Sequence, residues 1–122
     1  MKKFALAMVL VGFSYGVLAA TACSVGTATP VATPAAGSTD FIKNGITPRC
    51  SANTYVEFTQ STTKVDVGSA SLKGKKYFGG SSEGGAVTAR GDCTATCAIG
   101  DAQSGVSAAA GTASGTGTGT GT

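Results

Sequence analysis

The chain has 122 residues, of which 42% are hydrophobic and 12% are charged, and its formal net charge is +3. A chain of this length supports one small domain. The absence of histidine excludes a Ser–His–Asp triad and histidine-ligated zinc, and the sparse lysines and arginines do not form the basic footprint of specific nucleic-acid recognition.

The first predicted element is a secretory signal peptide over residues 1–22. Two lysines give a basic start, an apolar run covers residues 4–11, and small residues occupy positions 19–22. This order is typical of a cleaved leader, and we favour cleavage after Ala22. The prediction makes the protein secreted, extracellular or attached to the cell surface, with no membrane span after cleavage.

Four cysteines follow the leader, at Cys23, Cys50, Cys93 and Cys97. An even number of cysteines in a small exported domain predicts disulfides, and a domain with few large apolar side chains needs such cross-links. Among the three possible pairings we favour Cys23–Cys50 with Cys93–Cys97. The alternative for Cys23 is lipidation, because residues 20–23 are similar to a bacterial lipobox.

Composition divides the rest of the chain into three parts. Residues 23–40 are a predicted extended lead-in, with two prolines and no periodicity. A small antiparallel β domain is expected over residues 41–104, followed by a tail over 105–122 that is rich in Gly, Thr and Ala. No amphipathic helix is expected beyond a short turn at 104–110. The final Gly-Thr repeats are expected to be disordered in a monomer, or to stack as an added strand in an assembly.

Apolar and polar residues alternate within the predicted domain. The alternation predicts half-buried strands at 53–59 and 63–67, joined by a hairpin loop at 60–62. Weaker strands are expected at 75–78 and 86–90. The larger apolar side chains of this region form the predicted core: Ile42, Ile46, Val56, Phe58, Val65, Val67, Leu72, Phe78 and Val87.

The tripeptide Arg90-Gly91-Asp92 has the sequence that integrins recognise. Its position beside Cys93 would place it in a small loop, where it could serve as an adhesive contact. A match of three residues is also common by chance, so the simpler interpretation is ordinary loop sequence.

Two further motifs have both a functional and a structural interpretation. Lys73, Lys75 and Lys76 could contact a polysaccharide or a host surface, or could protect an edge strand from pairing. The glycine-rich segment 79–85 lacks the Gly-Lys-Ser/Thr ending of a phosphate-binding loop, and we expect a flexible connection there. Because the carboxylates are scattered singly, we predict no catalytic residues, no cofactor and no metal ligands.

The segment from Cys23 to Phe58 resembles small exported pilin-like and spore-coat-U-like surface proteins of bacteria. The shared features are a cysteine just after the leader, a second cysteine before a strand, and the β-prone sequence Tyr55-Val56-Glu57-Phe58. The resemblance covers about a third of the chain and implies a structural role at the cell surface. The chain departs from chaperone–usher pilins, which end in an alternating apolar strand where this one has Gly-Thr repeats.

These observations favour a self-assembling subunit of a surface filament, coat or biofilm matrix. Copies would join by β-strand pairing, with the lead-in or the tail crossing between subunits. The alternative is a monomeric secreted module that binds a ligand or adheres through Arg90-Gly91-Asp92 or the lysine cluster. The size of the native protein in solution distinguishes the two.

The leader prediction can be checked by intact mass spectrometry of the exported protein. We expect a mass that begins at Cys23, because Ala20 and Ala22 give the small-x-small pattern before the cut. A product that retains Met1, or one with acyl chains on Cys23, would contradict it.

Overall fold

The computed structural model describes residues 19–31 and 37–112. The apolar part of the predicted leader, the middle of the lead-in and the Gly-Thr repeats lie outside the described residues. The described part contains six strands and one helix: β1 (Ala20–Ser24), β2 (Thr27–Ala28), β3 (Thr54–Gln60), β4 (Val65–Ser71), β5 (Lys76–Ser81), β6 (Gly84–Asp92) and α1 (Ile99–Thr112).

The strands form one sheet in the order β2-β1-β3-β4-β5-β6, and every neighbouring pair is antiparallel. The predicted mainly β, antiparallel, disulfide-linked domain is therefore confirmed. Both predicted pairings are present, with Cα–Cα distances of 5.6 Å for Cys23–Cys50 and 5.1 Å for Cys93–Cys97.

The sheet extends further toward the N-terminus than the sequence indicated. Residues assigned to the lead-in form β2 and part of β1, and Cys23 lies opposite Val56 of β3. The disulfide to Cys50 holds this added strand close to the start of β3, so a segment without periodicity still pairs in the sheet.

The glycine-rich segment is a tight hairpin instead of a flexible connection. Gly79 and Gly80 lie within β5 and are buried, and a two-residue turn at Ser82 and Glu83 leads into β6. Gly84 has a φ of 129°, a conformation that favours glycine.

Helix α1 is the main element that the sequence reasoning missed. It includes residues 105–112, which were assigned to the low-complexity tail. Its start is capped, because Ala98 N donates to Asp101 Oδ2 at 2.7 Å, which is one half of a capping box; Asp101 N donates to the backbone oxygen of Ala98. Among the described residues no helix has the length and apolarity needed to cross a membrane.

Small side chains let α1 lie directly on the sheet. Ala102, Val106 and Ala109 are at most 3% exposed and follow the spacing of one helix face. A Cβ atom on Gly68 would clash with Ala102 O, and one on Gly79 would clash with Gly105 O. The helix backbone therefore rests on the backbone of β4 and β5, an approach that only glycine permits.

The core differs from the predicted one. The buried apolar residues are mostly small and lie mainly between the sheet, α1 and the Cys93–Cys97 disulfide: Ala22, Cys23, Ala70, Cys93, Cys97, Ala102, Val106 and Ala109. Most of the predicted core lies on the opposite face, where Ile46 is 53% and Val87 71% exposed. The predicted alternation was right, but the helix covers the face that carries the smaller and more polar residues.

Gly68→Ala tests the helix–sheet contact. We expect the free energy of unfolding to fall by about 1–3 kcal/mol, because overpacking forces the backbone of α1 away from β4. Urea unfolding followed by circular dichroism measures the change.

The matched control is Gly100→Ala, since a Cβ at this helical position meets nothing within 4 Å. It should be neutral or stabilising by up to about 1 kcal/mol. Equal losses of unfolding free energy in both variants would contradict the close contact between α1 and β4.

Candidate interaction surface

The sheet face opposite α1 carries an open apolar groove of about 370 Å³. Strands β1, β3 and β4 form its floor, and the segment between β2 and β3 forms its wall. Its lining is Ala22, Val31, Ile42, Ile46, Pro48, Val56, Phe58, Val65 and Val67.

A second hollow of about 260 Å³ continues the groove across β5 and β6. Val65 and Val67 line both, and Phe78 and Val87 line the second. The apolar surface therefore runs across five neighbouring strands, from β1 to β6. We call this the open face.

The register of the sheet explains the hollow. Phe58 lies opposite Val67, and Val67 lies opposite Gly80, so the three form one row across the sheet. Gly80 has no side chain, and Val87 fills part of the gap: a Cβ on Gly80 would come within 2.7 Å of its Cγ2. The glycine creates a depression between larger apolar residues.

Backbone hydrogen bonds hold the wall of the groove in place. Val31 and Ile46 exchange two of them, at 2.8 and 3.0 Å, and Phe41 N donates to Ser61 O at 3.0 Å. The Cys23–Cys50 disulfide fixes the end of the same segment. An irregular stretch with little regular structure is thus tied to the sheet at several points.

Strand β6 forms a long edge next to the open face. It has nine residues, the first six of which are exposed, and in the described part of the chain its only strand partner is β5. The other edge, β2, has only two residues. β6 contains only two charges and no proline, so its main protection against edge pairing is two irregularities in its register with β5.

The tripeptide Arg90-Gly91-Asp92, which was expected in a loop, lies in β6 instead. Gly91 is paired with Tyr77, and Arg90 Nε donates to Gly79 O at 3.2 Å. Asp92 Oδ1 lies 2.7 Å from Lys76 Nζ. The three residues are therefore extended, and both charged side chains have contacts within the domain.

The lysine cluster is divided among different partners. Lys76 pairs with Asp92, Lys75 Nζ donates to Ala95 O at 3.4 Å, and Lys73 is exposed in the turn after β4. Since β5 lies between β4 and β6, Lys76 does not protect an edge strand.

Cys93, Cys97 and Asp101 place their potential ligand atoms within 4.8 Å of one another. The two sulfurs are joined to each other, and Asp101 caps α1, so zinc would find no free thiolate in this group. Its function in the fold is to connect the end of β6 to the start of α1.

Two acidic side chains are buried on the helix-covered face. Glu57 has 0% exposure and Asp66 has 3%. Among residues 19–31 and 37–112, neither oxygen of Glu57 has a hydrogen-bond partner, nor has Oδ1 of Asp66. The alternation in β3 places Glu57 on the face opposite Val56 and Phe58. Gly68 and Ala70 lie on the same face of β4, and these small residues are the sequence signal that a helix could cover it.

Lys64 is the cation next to Asp66. Its Nζ lies 3.2 Å from Asp66 Oδ2 and 3.4 Å from Glu83 Oε2, and it donates to Ala110 O at 3.5 Å. Desolvation lowers the pKa of Lys64, but hydrogen bonds and charge attraction from Asp66 and Glu83 outweigh it, so the pKa is raised above 10.5. The side chain links β4, the β5–β6 turn and α1.

Comparison of the chain with known protein families, with curated proteins and with solved structures finds no match.

Lys64→Met should lower the melting temperature at neutral pH, because it leaves the buried Asp66 without its cation. A group whose pKa is raised on folding stabilises the fold fully below its unfolded value of 10.5, and the contribution disappears as pH rises through the higher folded value. The difference in melting temperature between the two proteins should therefore be constant from neutral pH up to about 10.5 and shrink above it.

Thermal unfolding across this alkaline range measures that difference. Lys73→Met, at an exposed lysine, is the control and should change the melting temperature little. A Lys64→Met difference that is zero at neutral pH would contradict the ion pair.

Proposed function

We propose that this protein is an exported structural subunit of a surface filament, coat or matrix that assembles by β-strand pairing. The observation that carries the proposal is the long, weakly protected edge of β6 beside the apolar open face. An unpaired edge offers backbone donors and acceptors to a second chain, and addition of a strand is a recurring mode of association.

The apolar surface supports association of the same kind. Val67 is 37% and Phe78 is 41% exposed, and both lie close to β6 on the open face. A contiguous apolar patch of this kind is a typical contact region in soluble proteins. A neighbour that pairs with β6 could extend the sheet and cover part of this patch at once.

Export is supported by the cross-links and by the leader prediction. Two disulfides in a domain of this size are typical of an oxidising compartment. A low net charge after loss of the leader would leave little electrostatic repulsion between copies.

The alternative is a monomeric binding module, and the apolar groove is the observation that favours it. A volume of about 370 Å³ lies within the range of small-molecule pockets. A monomer that retains an apolar ligand would support this alternative.

Val87→Lys tests assembly through β6. We expect the variant to fold normally, since Val87 is 71% exposed, while the dissociation constant of the assembly rises at least about tenfold through repulsion of like charges. Sedimentation of the intact protein over a range of concentrations measures both proteins.

The matched control is Thr62→Lys, which adds the same charge in the exposed β3–β4 turn and should assemble normally. A monomer at high concentration for the unaltered protein would contradict the proposed function. Normal assembly of Val87→Lys would contradict only the use of β6.

A chain that ends at Thr112 tests whether the Gly-Thr repeats cross between subunits. The truncation removes no described residue. Unchanged assembly would exclude a role for the repeats and leave pairing through β6 in place.

A further inference from the structure

Glu57 is a carboxylate in the interior of this domain. It lies in the middle of β3 and is fully buried, and in the described part of the chain neither of its oxygens has a hydrogen-bond partner. Buried carboxylates are normally paired with a cation or bonded to several donors. A missing partner at such a position therefore needs an explanation.

The neighbouring elements do not supply the cation. Described residues of α1 include a single charged side chain, Asp101, which caps the helix. On β4 the nearest charge is another acid, Asp66, and Lys64 is bound to Asp66 and Glu83. Arg90 donates to the backbone of β5.

The remaining neighbour is β1, which carries no charged side chain in the uncut chain. Thr21 lies directly opposite Glu57, Cys23 lies opposite Val56, and Ala22 forms a bulge between the two pairs. The predicted cleavage site is therefore in the strand segment that faces Glu57.

Cleavage at this site would change the charge of β1. Hydrolysis of the Ala22–Cys23 peptide bond by a leader peptidase consumes one water and leaves a carboxylate on Ala22 and an α-ammonium group on Cys23. An α-amino group has an ordinary pKa of about 7.7–8.0, so it is largely protonated at neutral pH. Because Ala22 is 8% exposed in the folded chain, the cut has to precede folding.

The new terminus would be held in place beside Glu57. Cys23 is bonded to Cys50, and Val25 N donates to Thr54 O at 3.1 Å, so the strand remains attached to β3 on the C-terminal side of the cut. Loss of Thr21 clears the position opposite Glu57. The ammonium group then lies one register step away, within reach of the flexible carboxylate.

We propose that removal of the leader completes the core by pairing the α-ammonium group of Cys23 with the buried Glu57 carboxylate. The proposal rests on the export and cleavage in the proposed function, and it assigns the cut a role in folding. The leader-bearing chain buries an uncompensated charge, whereas the cut chain buries an ion pair. Processing therefore favours the folded state of the mature form.

The experiment uses the chain of residues 23–122, released from a fusion by a protease that leaves Cys23 as its first residue. The α-amino group is carbamoylated in urea with the disulfides intact, at about pH 6.5, where it reacts before the lysines. Glu57→Gln is prepared in the free and in the blocked form. Urea unfolding of the four refolded proteins gives a double-mutant cycle.

We expect Glu57→Gln to raise the unfolding equilibrium constant at least about tenfold in the free-amine protein, since it breaks a buried pair. In the blocked protein the same substitution should leave that constant unchanged or lower it. An equal effect in both forms would overturn the proposal. Glu83→Gln, at an acid in the β5–β6 turn, is the control and should behave alike in both.

If a blocked protein fails to refold, the rate at which the folded free-amine protein is carbamoylated tests the ion pair instead. An ammonium group paired with Glu57 should react at least about tenfold more slowly than that of Glu57→Gln, and equal rates would overturn the pair. These measurements concern folding of one chain. A protein that fails to assemble would therefore contradict the proposed function but not the ion pair. A double-mutant cycle without coupling would contradict the ion pair but not assembly.

Discussion

The close contact between the backbone of α1 and the backbones of β4 and β5 determines how the rest of the domain is arranged. Gly68, Gly79 and Gly105 meet where a Cβ atom would clash, so the interface is thin, and on the helix it consists of glycine, alanine and Val106. Such an interface buries little apolar area per residue, and the transfer of apolar area from water is the main driving force for folding. The two disulfides and the cap at Asp101 therefore have a larger relative share in stability than in a domain with a bulky core.

The same contact explains why the larger apolar residues are exposed. A helix can approach this sheet only on the face where β4 and β5 have glycine and alanine, and the valines and phenylalanines of the alternating strands then lie on the other face. The irregular segment around Ile46 covers part of that face, beside β1 and β3. The part next to β6 remains open, and there an apolar surface and an unpaired strand edge occur together.

The strands could largely be predicted from the sequence, because alternation at residues 53–59 and 63–67 is a local property. The even number of cysteines predicted disulfides but left three pairings open, and the structure contains the favoured one. Helix α1 could not be predicted from the sequence, since its buried stripe consists of alanine, valine and glycine. The hydropathy of such small residues does not distinguish a helix from a linker. The choice of face depended on the missed helix, so the core residues were assigned to the wrong side. The tripeptide at residues 90–92 was placed in a loop because it lies beside Cys93, whereas the pairing of Gly91 with Tyr77 keeps it in a strand.

The positions of the two disulfides have a mechanical consequence. Cys23–Cys50 closes the sheet near its β1 side, and Cys93–Cys97 closes the chain just beyond β6. A pulling force that enters at Cys23 passes through the Cys23–Cys50 bond, so β2 and the wall of the groove carry no load. A force from the C-terminal side crosses α1 and then passes from Cys97 to Cys93, which shields only the short loop between the two cysteines and leaves β6 to be peeled from β5. The domain is therefore mechanically asymmetric: its β1 side is covalently reinforced, and its β6 edge yields first.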